Sequence, residues 1–231
     1  MKPSSTKQAC LDDLKTQILT LGLAPGADLD EAALCDRYRI SRTPLREVFQ
    51  RLSGDGYVTL HSNRGAKVAS MDMGVMRVFF QTAPLIYANI ARLAAENRTS
   101  RQLDALRDIQ RRFRTADPAA AAMLNHQFHA LIGDMAANPY LMASLTRLLI
   151  DHTRLSQTFY RPASSDEAAL VTRASEQHDA MITALESRES ALMMDLTLQH
   201  WDLSRDRIER YVRPDPLPVD VIPLKDKRHA L

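Results

Sequence analysis

The sequence predicts a mainly α-helical protein with two parts, an N-terminal winged helix-turn-helix and a C-terminal bundle made only of helices. Five of the seven glycines lie in the first 65 residues, which indicates a turn-rich region followed by a glycine-poor one. Within the first 70 residues, three helical patterns are followed by two short strand patterns. From residue 72 onward, the pattern is helical with short breaks. We therefore expect domains over 1–70 and 71–212, and a Pro-rich tail over 213–231.

Composition excludes several classes of protein. The 231 residues are 45% hydrophobic and 25% charged with a net charge of +2, which is typical of a soluble globular protein and not of a polybasic tail. No apolar stretch approaches the roughly 20 residues that cross a bilayer, and the N-terminus lacks the apolar core of a signal peptide. Cys10 and Cys35 make no disulfide framework. We expect a reduced, cytoplasmic protein with no membrane partner.

Local signals justify each N-terminal element. Apolar residues three or four apart predict a helix over 11–21. Asp30 can cap a short second helix whose inner face is formed by Ala33, Leu34 and Tyr38. Thr43 is a suitable cap for a third helix, with Pro44 at its first position. Gly54 and Gly56 end that helix, and 57–60 and 66–69 then read as the strands of a hairpin.

The remaining helices are separated by breaks rich in Asn, Pro and Ser. Pro84 should kink or break the first of them because proline removes a helical hydrogen bond. The predicted spans are 72–97, 100–115, 118–136, 138–160, 165–187 and 189–211.

The third helix is a candidate for DNA recognition. Its apolar residues form one stripe, whereas Arg46 and Gln50 lie four apart on another face. Arg46 could contact a guanine and Gln50 a base edge or a phosphate, while the Arg64-Gly65 tip suits a minor groove or phosphates. The alternative is an ordinary solvated face, and a net charge of +2 over 1–70 does not decide between them. The candidate DNA-binding residues are Arg42, Thr43, Arg46, Gln50, Arg51, Arg64 and Gly65.

A second candidate site combines four polar residues of the helical part. Asn125 and His129 lie four apart on one helix face. His178 and His200 lie on two helices that should form an antiparallel hairpin, roughly 14 and 18 Å from its turn near residues 187–188, so their rings could meet. Three imidazole nitrogens and an amide oxygen would suit zinc, nickel or manganese. Any single histidine is more commonly structural, and we assign no role to the other four: His61, His126, His152 and His229.

The N-terminal part resembles a known DNA-binding domain. The segments 23–31 (LAPGADLDE) and 40–47 (ISRTPLRE), followed by Gly54, Gly56 and Gly65, are similar to the N-terminal domain of the GntR family of bacterial transcriptional regulators. In that family the Ser-Arg-Thr-Pro-x-Arg-Glu segment opens the recognition helix. The resemblance implies that Arg42, Thr43, Arg46 and Gly65 contact DNA.

The helical part extends this resemblance to the FadR subfamily, whose ligand-binding domain is of the helical FCD type. Asn125-x-x-Phe128-His129, His178 and His200 match positions that hold a metal in many members, and that metal anchors a carboxylate effector. Two departures weaken the match. Asn125 replaces the common Asp, and Thr82 and Ile86 stand where an Arg and a Glu are common.

Together these features predict a homodimeric transcription factor bound to a near-palindromic double-stranded operator and controlled by a small-molecule effector, for which a carboxylate near the metal is the first candidate. Repression is the commoner behaviour in the family, so we expect a repressor; the effector is unknown. One alternative is a helical domain that only dimerises or binds an apolar ligand without metal. A remote alternative is a metal-dependent enzyme, for which the sequence offers no convincing general base.

Overall fold

A computed structural model of the chain describes residues 6–61 and 65–212, with side chains up to residue 203. Arg64 and the Pro-rich tail, for which predictions were made above, lie outside these residues. In the described part of the chain, no helix combines the length and the apolar character that crossing a bilayer requires.

The N-terminal elements have the order that the sequence predicts, with one short strand in addition. That strand, β1, pairs with β3, so that the sheet has the antiparallel order β1-β3-β2. A two-residue strand has no periodicity of its own, which is why the sequence pattern did not indicate it. The elements are α1 (Thr6–Leu19), β1 (Asp28–Leu29), α2 (Glu31–Tyr38), α3 (Arg42–Asp55), β2 (Val58–His61) and β3 (Gly65–Val68).

Both ends of α2 follow from local chemistry. Asp30 caps the helix as predicted, since its carboxylate accepts hydrogen bonds from the backbone N–H groups of Ala32 and Ala33. Leu34 and Tyr38 are half-buried on the inner face. The assignment of Ala33 to that face is wrong, because Ala33 is exposed.

The start of α3 differs from the prediction. The helix begins at Arg42 after Ser41, whose side chain makes no capping hydrogen bond, so Thr43 is not the cap. Pro44 is the third helical residue and not the first. This position still tolerates proline, because the first N–H groups of a helix have no intrahelical acceptor. The helix ends at Gly56, whose φ of 87° is in the left-handed region that favours glycine.

Six long helices form the rest of the described chain, and their bounds confirm the predicted spans to within two residues. The helix α4 runs unbroken through Pro84, so of the two expected outcomes, a kink or a break, the break does not occur. It packs along α9 and against α6 and α7, and this burial outweighs one missing backbone hydrogen bond. The helices are α4 (Met73–Asn97), α5 (Ser100–Phe113), α6 (Pro118–Met135), α7 (Pro139–Phe159), α8 (Ser165–Glu186) and α9 (Ser190–Val212).

The helix α7 joins the two parts of the molecule. Ile150 is fully buried in the apolar core formed by α1, α3 and the sheet. Nη1 of Arg154 donates to the carbonyl of Ala69, 2.7 Å away, and Nε2 of Gln157 donates to the carbonyl of Leu19 at 3.2 Å. A single helix therefore contacts both the end of α1 and the segment that leads into α4.

Candidate metal centre and nucleic-acid interface

The outer face of α3 presents the polar residues that the sequence proposed for DNA. Arg42, Thr43, Arg46, Gln50 and Arg51 are all exposed. The opposite face fixes the helix, because its four apolar residues lie in the N-terminal core. These buried residues are Leu45, Val48, Phe49 and Leu52.

A surface groove of about 800 Å³ separates α3 from the hairpin. Arg46 and Gln50 line one side, and His61 and Gly65 line the other. Gly65 has a φ of 75°, so its place in the turn favours a residue without Cβ. The fold therefore brings together three of the seven proposed DNA-binding residues, Arg46, Gln50 and Gly65, in one concave surface.

Arg46 has only a loose partner in this surface. Its Nη2 lies 3.8 Å from Oε2 of Glu31, and 65% of the Arg46 side chain is exposed. An exposed ion pair at that distance contributes little to stability, so a phosphate or a guanine edge can replace the carboxylate.

The second predicted site is a buried cluster of three histidines from three helices. His129 of α6, His178 of α8 and His200 of α9 offer ligand nitrogens that all lie within 4.8 Å of one another. The ring centroids of His178 and His200 are 4.7 Å apart, as expected from their similar distance to the α8–α9 turn. Two side chains that are far apart in sequence thus meet in the interior.

Three polar atoms of the predicted ligand set have no hydrogen-bond partner among the described residues. They are Oδ1 of Asn125, Nε2 of His129 and Nε2 of His178, and all are buried. An unpaired buried polar atom costs roughly 1–3 kcal/mol, and a cation held by these residues would supply the missing partner for all three atoms. The residues present therefore fit a divalent transition metal.

Two glutamines orient the imidazoles. Oε1 of Gln110 lies 3.1 Å from Nδ1 of His178, and Oε1 of Gln177 lies 3.1 Å from Nδ1 of His200. Nε2 of Gln110 donates to the carbonyl of Ser175, which fixes the orientation of that amide. Because an amide oxygen only accepts, Nδ1 of His178 carries the hydrogen and its Nε2 keeps its lone pair for a metal.

Burial keeps these histidines neutral. Desolvation is the largest cause that lowers the pKa of His129 and His178 well below the ordinary value, and neighbouring histidines lower it further. Burial also lowers the pKa of His200 to about 4. Neutral imidazole is the form that binds a metal, so the cluster is prepared for coordination at physiological pH.

A fourth buried histidine, His152 of α7, lies beside the cluster. Its ring centroid is 5.4 Å from that of His129, and its Nδ1 is 2.8 Å from the Tyr87 hydroxyl. A cavity of only about 10 Å³ adjoins His152 and His200, which is room for about one water molecule. Sequence reasoning assigned no role to His152, since the rotation of α7 against α4 and α6 cannot be read from spacing.

Two family models match the chain in the same order as its two parts. The model of the FCD domain matches residues 82–203, and the model of bacterial regulatory proteins of the gntR family matches residues 6–68. The chain belongs to the GntR family and carries an FCD domain.

Relatives of this GntR regulator are themselves regulators of transcription. The chain is 25% identical to the HTH-type transcriptional repressor RspR of Escherichia coli over 191 residues, which cover 81% of this chain and 82% of RspR. It is 25% identical to the Nta operon transcriptional regulator of Aminobacter aminovorans over 124 residues, which cover 52% of this chain and 59% of that protein. Among solved structures, E. coli McbR/YncC shares the fold with a TM-score of 0.76 at 18% identity, over 91% of this chain and 100% of that one.

The comparisons place this GntR-family chain among transcriptional regulators and not among enzymes. The alternative of a metal-dependent enzyme is therefore wrong. Asn125, His129, His178 and His200 are all buried in the FCD domain, whereas Gln110 and Gln177, which orient two of the imidazoles, had no sequence signal.

Proposed function

We propose that this regulator is a homodimeric repressor in the cytoplasm that binds a near-palindromic DNA operator through residues 1–70 and responds to a ligand through residues 71–212. The observation that carries the proposal is the groove between α3 and the hairpin, where Arg46, Gln50 and Gly65 meet. A dimer with two-fold symmetry presents two such grooves to two half-sites.

Each proposed DNA-binding residue has a role set by its place. Arg46 would contact a guanine edge and Gln50 an adjacent base or phosphate, because both side chains leave α3 towards the groove. Arg42 and Thr43 occupy the first turn of α3, where free backbone N–H groups favour a phosphate. The remaining residues, Arg51, Arg64 and Gly65, would contact the backbone or the minor groove.

Selection of binding sites from random double-stranded oligonucleotides tests this function. We expect an enriched inverted repeat whose half-sites lie on one face of the duplex, as dimeric helix-turn-helix proteins require. Binding that falls steeply with salt but enriches no sequence would contradict a sequence-specific operator.

We further propose that Asn125, His129, His178 and His200 hold a divalent transition metal, with zinc, nickel and manganese as candidates. The bound cation would supply a positive centre that anchors an anionic effector such as a carboxylate. Asn125 is neutral where an aspartate would cancel one charge, so the four residues leave the full charge of the cation to attract an anion. The unpaired atoms of Asn125, His129 and His178 support this assignment.

The small space beside the cluster makes ligand entry depend on movement. Since the cavity next to His152 and His200 holds about one water, a larger effector at this position requires the surrounding side chains to shift. The helix α7 carries His152 on the cluster side and Arg154 and Gln157 towards the N-terminal part. We infer that a shift of α7 changes the position of the DNA-binding elements.

The homodimer is supported by apolar side chains left exposed on two helices that pack together. Val78 and Leu85 of α4 are 59% and 66% exposed, and Leu192 and Leu198 of α9 are 42% and 39% exposed. Sedimentation of the wild type and of Leu85→Glu tests this proposal. We expect a dimer for the wild type and a monomer for the variant. A monomeric wild type that binds an inverted repeat as one chain per duplex would contradict the proposed homodimer.

A further inference from the structure

Two surface pockets outside the α3 groove and the histidine cluster share Arg114 in their lining. The first has a volume of about 290 Å³ and lies between α5, α6 and α8, next to Tyr160. The second has a volume of about 270 Å³ and lies on the α5–α8 face, where Arg107 and Arg111 line it. Arg114, immediately after α5, lines both pockets. The Arg114 side chain is therefore within reach of a ligand in either pocket.

The first pocket has the chemistry of a site for a carboxylate with an apolar body. Phe113, Tyr160 and Val171 contribute apolar walls, and Thr172 and Ser175 contribute hydroxyl groups. Arg114 is the charged residue among those that line it. Apolar walls with a few polar groups that fix orientation are typical of small-molecule sites, and this volume is at the small end of their range.

Arg114 is at the same time the outer end of a hydrogen-bonded chain that reaches the metal centre. Its Nη2 donates to Oδ2 of Asp179. The other carboxylate oxygen, Oδ1 of Asp179, accepts from Nε2 of Gln110 at 3.1 Å, and Oε1 of Gln110 is 3.1 Å from Nδ1 of His178. Three contacts therefore connect an exposed arginine with a fully buried histidine.

The first pocket and the histidine cluster are neighbours without being the same space. The ring of Phe113, which lines the pocket, has its centroid 5.1 Å from that of His178. The His178 ring also stacks on Phe128, with centroids 4.0 Å apart. A ligand in the pocket would thus contact a ring, that of Phe113, which itself contacts the candidate metal ligand His178.

We propose that the first pocket binds a small carboxylate with an aromatic or aliphatic body through Arg114, and that its occupancy tightens metal binding through Asp179, Gln110 and His178. The second half rests on the metal centre proposed above. A carboxylate that takes Arg114 leaves Asp179 with its full negative charge. Asp179 then polarises the Gln110 amide more strongly, Oε1 of Gln110 becomes a better acceptor, and Nε2 of His178 becomes a better metal ligand. By linkage, the metal tightens carboxylate binding by the same factor.

Calorimetric titration of the metal-free full chain with benzoate, phenylacetate and hexanoate tests the pocket. We expect at least one of these acids to bind with a Kd below about 10 mM, and the matching neutral amide to bind at least about tenfold more weakly because it lacks the charge that pairs with Arg114. Arg114→Gln should weaken the acid by a similar factor. Arg112→Gln is the matched control, since Arg112 is an exposed arginine two residues earlier that lines neither pocket.

Zinc competition against a chromophoric chelator, with and without the acid that binds, tests the coupling. We expect the acid to raise zinc affinity by about threefold to tenfold in the wild type and to leave it unchanged in Gln110→Ala. This gain is somewhat smaller than the loss of affinity that follows removal of a residue that orients a metal ligand. If the wild type and Arg114→Gln bind the acid equally, or if none of the three acids binds, the proposal that the first pocket holds a carboxylate is overturned. A chain that binds acid through Arg114 but binds no zinc would overturn the metal centre and the coupling while leaving the pocket supported.

Discussion

The outer face of α3 and the histidine cluster of the FCD domain use polar side chains under opposite conditions. On α3 the arginines are in water, and Arg46 has one loose partner at 3.8 Å. In the cluster, His129, His178 and His200 are buried, and two of their nitrogens have no partner among the described residues. Solvated charges are stable before any ligand arrives, whereas buried unpaired groups carry a free-energy cost until one is bound.

This contrast explains why the two sites should respond differently to substitution. An exposed arginine can be removed with little effect on folding, so its loss is read in DNA affinity alone. A cluster histidine affects both ligand binding and stability, because the surrounding interior is built around it. Four experiments separate these behaviours, starting with the largest expected effect.

Removal of one cluster histidine should abolish tight metal binding. We expect His178→Ala to lower zinc affinity by more than about 100-fold, which exceeds the loss typical of residues that merely orient a ligand. The matched control is His126→Ala, on α6 beside the cluster, whose ring instead contacts the Thr153 hydroxyl at 2.7 Å. Chelator competition measures both; comparable losses in the two variants would contradict the assignment of His178.

Acid should lower the free energy of unfolding of the metal-free protein, and buried histidines should contribute more to this loss than exposed histidines do. The pKa of His200 falls from 6.5 to about 4 on folding because the ring is buried. Between these values the unfolded chain binds a proton that the folded chain does not, so the free energy of unfolding falls as the pH falls. For His200 alone the loss is about 2 kcal/mol between pH 7 and pH 5.

Urea unfolding of the metal-free wild type and of His200→Gln at pH 7 and pH 5 measures this effect. Carboxylates and other histidines contribute in both proteins, so the difference between their pH dependences isolates His200. The variant should lose less stability on acidification. An equal loss of stability in the two proteins would show that His200 is protonated at pH 5 in the folded protein as it is in the unfolded chain.

Loss of Arg46 should weaken operator binding with no change in folding. We expect Arg46→Ala to cost roughly 1–3 kcal/mol of specific binding and to relax the preference at one base position. Arg101→Ala is the control because Arg101 is exposed on the FCD domain. Fluorescence anisotropy with the selected operator and a scrambled duplex measures both. Equal weakening on the two duplexes would assign Arg46 to the phosphate backbone instead.

The smallest of these effects concerns Asn125, one of the residues that depart from the family pattern. Asn125→Asp should raise zinc affinity by about tenfold, since it adds a negative charge to the ligand set. The matched control is Asn138→Asp, which makes the same substitution at the start of α7, where the side chain only caps the helix. Chelator competition compares the two variants with the wild type. Unchanged zinc affinity in Asn125→Asp would remove Asn125 from the ligands while leaving the three histidines in place.

Spacing in the sequence predicted what lies within one helix or one hairpin. It placed Asn125 beside His129, and it placed His178 opposite His200 by counting from the α8–α9 turn. It did not indicate Gln110 or His152, because their approach to the cluster depends on how α5 and α7 rotate against other helices. The start of α3 was misplaced because Ser41, Thr43 and Pro44 offer overlapping start signals and only the backbone distinguishes them.

The central claim is that the buried histidines of the FCD domain hold a metal, and elemental analysis of the purified wild type tests it most directly. The protein is prepared without chelator and without a nickel column, beside His178→Ala prepared in the same way. We predict about one equivalent of a transition metal per wild-type chain and a strongly reduced content in the variant. A wild type without metal, both as isolated and after incubation with zinc, nickel or manganese, would contradict the claim and favour an FCD domain that only dimerises or binds an apolar ligand.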